Sequence, residues 1–211
     1  MKKLIITPYF GDLPPWFKEF SPPKGYDWWL NTDLEGFKKR VKDILGIEYP
    51  GTYGSGKVWD YRPALGLLYQ KELEGYDYWG TMDFDLVFGD VDKWFPDEEI
   101  AKWDVWSNHH EYVCGFWSLY RNSAEVNNLF KQYPDWKEKM IHPEPNGWCE
   151  QEFSRTLEAS GLKYKYSMFQ GDPYSPPFKL KKEGIKLFQE INGQWDEVAM
   201  LHFRRDKRFP L

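Results

Sequence analysis

The sequence predicts an α/β fold in which helices flank a mixed central sheet. Three observations carry this. Short apolar runs alternate with stretches of helical periodicity in the order β-α-β-α-α-β, and further strands follow. A length of 211 residues is enough for one domain with its own core. No repeat, low-complexity tract or linker divides the chain, so residues 1–211 read as a single domain.

Lys3 to Thr7 is a short apolar strand that turns at Pro8-Tyr9-Phe10-Gly11. Two basic residues and so short an apolar run fit a first buried strand better than a signal peptide. Pro14 to Phe20 is expected to form a short helix entered through Pro-Pro. Tyr26 to Leu30 is a second strand, and Asp33 lies where it stops. Leu34, Phe37, Val41, Ile44 and Leu45 mark a helical stripe over 34–45. The glycines between Tyr49 and Gly56 predict a loop. Trp59 to Leu73 is expected to be helical, with Asp60 as its N-cap and Pro63 in the first turn. A strand then leads into Asp83, and a short acidic helix falls within 91–103. Strands are expected over 104–107, 112–120, 163–172 and 198–203, and helices over 123–133 and 148–159.

Composition narrows the function classes. The net charge of -5 gives no global attraction to nucleic acid, although it leaves room for a local basic patch. No apolar run of about 18 residues is present to span a membrane. The 2 cysteines, Cys114 and Cys149, are too few for a disulfide framework and match no zinc spacing. They are read as reduced, buried thiols, which suits a cytoplasmic protein. Aromatic residues reach 19%, and the 12 tryptophans exceed what a core of this size needs. Composition alone does not divide them among core, interface and sugar-stacking roles.

Chemistry concentrates in two segments. In Tyr76-Asp77-Tyr78-Trp79-Gly80-Thr81-Met82-Asp83-Phe84-Asp85, a strand-like run ends in two carboxylates one residue apart. Alternation along a strand would turn both to one face. Such a pair suits a hard cation, Mn²⁺ or Mg²⁺, holding a diphosphate. The competing reading is a surface turn with two solvated acids. In the tail, His202 and Phe203 precede Arg204, Arg205, Asp206, Lys207 and Arg208. Imidazole serves as a third metal ligand, and Arg or Lys suits phosphate oxygens.

The chain resembles nucleotide-sugar glycosyltransferases of the GT-A fold. It is most similar to small glycosyltransferase-like proteins with a Pro-Tyr-Phe-Gly after the first strand, an Asp-Tyr-Lys/Arg-Pro-Ala segment, a DxD and a late His-Phe. The matching residues are Pro8 to Gly11, Asp60 to Ala64, Tyr76 to Asp90, Gly115 with Leu119 to Asn122, and His202-Phe203. The ordered set, more than any one piece, is specific. It implies a single Rossmann-like GT-A domain that moves a sugar, read as coming from a UDP-sugar, to an acceptor hydroxyl. Asp83, Asp85 and His202 would hold the metal. Thr7, Tyr9 and Asp33 fall where the base and ribose are held, and Asp60 and Arg62 where ribose, sugar or phosphate is contacted. Asp83 would also touch the sugar nucleotide, and Arg204, Arg205 and Lys207 the diphosphate.

The segment Trp148 to Phe153 resembles the acidic stretch on the acceptor side of such enzymes. Glu150 and Glu152 both qualify there, as general base if the enzyme inverts or as a group that steadies the donor sugar if it retains, and spacing does not separate them. Asn108-His109-His110-Glu111 reads as a loop near the acceptor, and Gly115 as a point of close backbone approach to the sugar. The expected acceptor is a glycan or lipid-linked sugar, with a hydroxymethylated base of phage DNA as the alternative. For DNA, the clusters Lys179 to Lys186 and Arg204 to Arg208 would supply charge. Two other classes compete: a metal-dependent nucleotidyltransferase or nucleotide-sugar hydrolase, and a non-catalytic sugar-binding module. No P-loop, dinucleotide fingerprint or second carboxylate cluster favours the first. The presence of all three candidate metal ligands argues against the second.

Overall fold

β1 (Lys3–Pro8) is buried along its whole length, so the sheet must be covered on both faces. The computed structural model describes residues 1–169, 171 and 178–203. β1 pairs in parallel with β2 (Asp27–Asn31) on one side and β3 (Tyr78–Met82) on the other. β6 (Trp117–Arg121) runs antiparallel to both β3 and β5 (Val105–Ser107), and β7 (Tyr164–Tyr166) lies parallel to β5. Among the described residues the order is β2-β1-β3-β6-β5-β7, so β6 is the reversed strand of a mixed sheet. β4 (Leu86–Phe88) pairs antiparallel with β11 (Met200–His202). β8 (Phe178–Glu183), β9 (Lys186–Ile191) and β10 (Gln194–Val198) form an antiparallel meander.

Side-chain alternation sorts the core into two layers. Leu4 and Ile6 face α1 (Leu34–Leu45), α2 (Leu65–Leu68), α5 (Ala124–Asn128) and α7 (Gln151–Ala159), through Phe37, Val41, Leu65, Leu68, Val126, Phe153 and Leu157. Ile5 faces the other layer, which holds Phe88, α3 (Val91–Trp94), Phe95 and α4 (Asp97–Ile100). In α1 the stripe works as expected for Phe37, Val41 and Leu45, which are buried, whereas Ile44 is exposed. Full burial of each such side chain contributes about 1.5–3 kcal/mol. Gly46 ends α1 at φ 67°, a left-handed conformation that glycine adopts without a Cβ clash.

Part of the aromatic surplus is core. Trp79, Trp106, Trp117 and Trp148 are fully buried. Burial also pushes the Cys149 thiol up to about 12 and the Cys114 thiol up to about 11, so neither is a ready nucleophile. Among the described residues no helix is long and apolar enough to cross a membrane.

Several expected elements differ. The helix expected over 59–73 is a 3₁₀ segment, Lys57–Ala64, followed by the single turn of α2 and further turns. Asp60 is not its N-cap, a position held by Gly56. Pro63 withholds an N–H donor there, and Asp60 is drawn into a buried cluster described below. The strand expected from Tyr112 begins only at Trp117. Before it, the N–H groups of Val113 and Cys114 donate to the hydroxyls of Ser154 and Ser107 and not to a neighbouring strand. The strand expected over 163–172 is shorter, Tyr164–Tyr166, and residues 170 and 172 lie outside the described residues. The meander and α6 (Trp136–Ile141) were not anticipated. The lysine cluster at 179–186 belongs to the meander, where Lys179 pairs with Glu190 and Lys181 with Glu183.

Candidate functional site

β1 has β2 on one side and β3 on the other, so the chain changes direction across the sheet between β1 and β3. In open α/β sheets this is where a crevice opens outside the carboxyl ends of the strands. A cleft of about 750 Å³ lies there, lined by Thr7, Pro8 and Tyr9 at the carboxyl end of β1 and by Met82 to Asp85 at that of β3.

Asp83 and Asp85 sit in the bend between β3 and β4. They converge through that bend and not through the alternation of one strand. His202 arrives from the far end of the sequence because β11 pairs with β4 in a register that sets His202 opposite Leu86. The Phe203 N–H donates to the Asp85 carbonyl at 3.1 Å and fixes that register. The Phe116 ring, 4.9 Å from the imidazole, packs on its face.

One ligand atom from each of Asp83, Asp85 and His202 lies within 4.8 Å of the others. His202 Nε2 is 3.0 Å from Asp85 Oδ1 and 3.8 Å from Asp83 Oδ2. Nε2 is buried and, although it lies within ion-pair distance of both carboxylates, it makes no hydrogen bond. A buried polar atom without a partner is costly unless something else satisfies it. A divalent ion would do so. With bonds of about 2.1 Å, an octahedral ion separates adjacent ligand atoms by about 3 Å and opposed ones by about 4 Å. Two carboxylates and one imidazole are also a donor set that Mn²⁺ or Mg²⁺ accepts. The residues therefore fit the ion the sequence called for.

Arg62 reaches the same place from the 3₁₀ segment. Its Nη2 donates to Asp83 Oδ1 in a close ion pair. Burial works against the charged guanidinium, but Asp83 first, and then Cys149, Glu150 and Tyr120, outweigh it and raise its pKa above the ordinary value. Gly115 makes the approach possible, since a Cβ there would overlap Arg62 Nη1 and lie 2.6 Å from Cζ. Gly115, expected as a point of close approach to the sugar, is where the missing side chain admits Arg62.

The structure separates the two acidic candidates. Glu150 lines the cleft. It occupies the N-cap position of α7 without capping it, and its Oε1 instead accepts the Gly115 N–H at 3.2 Å. Glu152 lies elsewhere, paired with Lys139 at 2.9 Å.

The remaining candidates divide as well. Tyr9 lines the cleft, with its ring edge-on to Phe84 at 4.7 Å. Thr7 also lines it, but its hydroxyl accepts from Trp28 Nε1 at 3.1 Å. Asp33 is not part of the cleft lining; its carboxylate accepts the Gly36 N–H at 2.9 Å and caps α1. Asp33→Ala is therefore expected to lower stability by about 1 kcal/mol, readable by denaturant unfolding, with ligand affinity unchanged. Asp60 is 1% exposed and holds Lys57 and the backbone of Asn146 and Gly147, away from the cleft. The rings of His109 and His110 stack on each other outside the cleft. Arg204, Arg205 and Lys207 lie outside the described residues.

Sequence reasoning missed the aromatic walls. Trp16 and Trp59 line the cleft, and Phe84 joins Tyr9, Trp16 and Phe17 in ring contacts. The available signal was positional: each of the three lies within or beside a segment already singled out.

The chain belongs to a family described as a family of unknown function (DUF6625), matched over residues 28–175. The match takes in Arg62, Asp83, Asp85 and Glu150 and ends before His202. No curated protein matches the chain. Among solved structures, the crystal structure of A197 from STIV is similar at 9% identity and a TM-score of 0.38, over 92% of this chain and 88% of that one. A likeness at that level assigns nothing to this chain.

Proposed function

We propose that this chain is a metal-dependent glycosyltransferase with a single GT-A, Rossmann-like domain. It takes a sugar from a nucleoside-diphosphate donor, read as a UDP-sugar, and moves it to an acceptor hydroxyl. The observation that carries the reading is the convergence of Asp83, Asp85 and the buried His202 Nε2, which makes no hydrogen bond, at a cleft on the β1/β3 switch point.

Charge supports it. The described lining holds one guanidinium, Arg62, against the carboxylates of Asp83, Asp85 and Glu150. A diphosphate enters such a lining only with a cation beside it. When bound, Mn²⁺ or Mg²⁺ supplies Lewis-acid stabilisation of charge on the leaving diphosphate. Asp83, Asp85 and His202 hold it, and Arg62 adds fixed positive charge on the same side. Tyr9, Trp16, Trp59 and Phe84 give the cleft flat apolar walls on which a base or sugar ring can stack.

Glu150 is the general base in this reading. The Gly115 N–H holds one carboxylate oxygen and leaves the other to take the proton from the acceptor hydroxyl as it attacks the anomeric carbon. The acceptor is a glycan or lipid-linked sugar, with hydroxymethylated DNA as the alternative to test beside it.

The deciding experiment screens UDP-, GDP- and CMP-sugars by thermal shift with and without Mn²⁺, then assays transfer with the donor found. Mn²⁺-dependent stabilisation by one nucleotide class supports the reading, and no shift at millimolar donor overturns it. In the transfer assay, Glu150→Gln should lower kcat about 10²–10⁴-fold. Glu152→Gln should stay within a few-fold of wild type. Equal losses for the two would remove Glu150 from the role.

A further inference from the structure

Arg62 and a metal ion have opposing claims on Asp83. The guanidinium holds Oδ1 of Asp83, while Oδ2 faces His202. A dication approaching the ligand triad meets a carboxylate whose charge is already matched. Arg62 is not free to drift aside. Its side chain is only 14% exposed, and it is seated against the bare Cα of Gly115. Gly115 in turn holds Glu150, so the three groups form one connected unit.

We infer that Arg62 makes metal binding depend on diphosphate binding: seated on Gly115, it neutralises Asp83 until a diphosphate takes over its charge. This rests on the reading of the triad as a metal site and of its ligand as a diphosphate. A guanidinium has five N–H donors in a rigid fork, so it can turn part of that fork to phosphate oxygens without leaving its seat. Asp83 then regains its full charge for the metal. Metal and diphosphate each strengthen the binding of the other, as linkage requires of any such coupling. The bare protein holds the ion weakly, and the chain is loaded by the metal and the nucleotide together.

Calorimetric titration of the full chain tests this, with MnCl₂ alone and with UDP at saturating Mn²⁺, corrected for Mn²⁺–UDP association in buffer. The panel is wild type, Arg62→Met, Arg62→Lys, Gly115→Ala and Asp85→Ala, each checked for folding by circular dichroism. Arg62→Met is expected to bind Mn²⁺ alone about tenfold more tightly than wild type, and UDP about tenfold more weakly, a coupling of ordinary size. Arg62→Lys, which keeps the charge but lacks the fork, should bind Mn²⁺ alone about as weakly as wild type and bind UDP more weakly than wild type. Gly115→Ala should shift Mn²⁺ affinity in the same direction as Arg62→Met, because the added Cβ unseats the guanidinium. That variant carries the test should Arg62→Met fail to fold.

If Asp85→Ala loses Mn²⁺ binding while Arg62→Met and Gly115→Ala bind it no more tightly than wild type, the role of Arg62 is overturned and the metal site stands. If Asp85→Ala binds Mn²⁺ as wild type does, the metal site falls and the role of Arg62 falls with it.

Discussion

Alanine at Asp85 is expected to lower the proposed Mn²⁺-dependent sugar transfer by orders of magnitude and leave the fold close to wild-type stability. The two halves of this expectation have separate causes. The Asp85 carboxylate is about a quarter exposed and has no Lys or Arg partner among the described residues, so truncating it orphans no buried cation. A change of that kind typically stays within about 0.5–1 kcal/mol. The chemistry depends on it far more. Losing one of three protein ligands weakens the ion that would stabilise the leaving group, and a loss of about 10²–10³-fold in kcat is expected from removing one such stabilising group. Asp83→Ala should behave differently. It removes a ligand but also strips the largely buried Arg62 of its carboxylate, which adds a stability loss that Asp85→Ala lacks. Transfer rates with and without EDTA, set beside denaturant midpoints for the two variants, read both effects. Full transfer by wild type with its metal chelated would sink the proposed mechanism.

The parts of this site that were legible in the sequence are those whose chemistry is local. The DxD announced itself because two acids follow an aromatic strand, and the pattern of α1 emerged because Phe37, Val41 and Leu45 recur at helical spacing. His202 was legible as a candidate, but the reason it meets Asp85 was not, since that lies in the pairing of β11 with β4 across a long stretch of chain. Glu150 and Glu152 have the same type and lie two residues apart. Only the turn into α7 sends one to Gly115 and the other to Lys139. The error over Asp60 has the same origin. An Asp before a Pro-containing helix-like run looks like a cap, and nothing local reveals that a lysine three residues earlier is buried with it. Local patterns name side chains, whereas tertiary contacts decide which way those side chains face.

That buried pair predicts the largest stability change. Lys57→Met is expected to destabilise the protein by about 3–5 kcal/mol, the usual cost of breaking a buried ion pair from one side. Lys57 is fully buried, and its Nζ donates to Asp60 Oδ2 at 2.7 Å and to the carbonyls of Lys139 and Glu144 at 2.9 and 3.2 Å. Removing the ammonium strips the buried Asp60 carboxylate of its counter-charge, although Asn146 still donates to Asp60 Oδ2 and, through its Nδ2, to the Lys139 carbonyl. Asp60 cannot recover by moving, because its carboxylate also accepts the N–H groups of Asn146 and Gly147 at 3.0 Å each, and its carbonyl accepts Trp148 Nε1 at 2.9 Å. For a chain of this length the loss corresponds to a fall in Tm of roughly 10 °C, measurable by calorimetry. A loss under about 1 kcal/mol would show that the pair is not what holds this segment. The pair also governs the cleft. Asp60 lies two residues before Arg62, and the loop it tethers leads into α7 just before Glu150. One buried contact therefore anchors the segments that carry Arg62 and Glu150, the cation and the base of the proposed mechanism. Even where Lys57→Met is still folded, it should lose transfer activity along with Glu150 and Arg62 placement, while Asp33→Ala, which loosens only α1, should not.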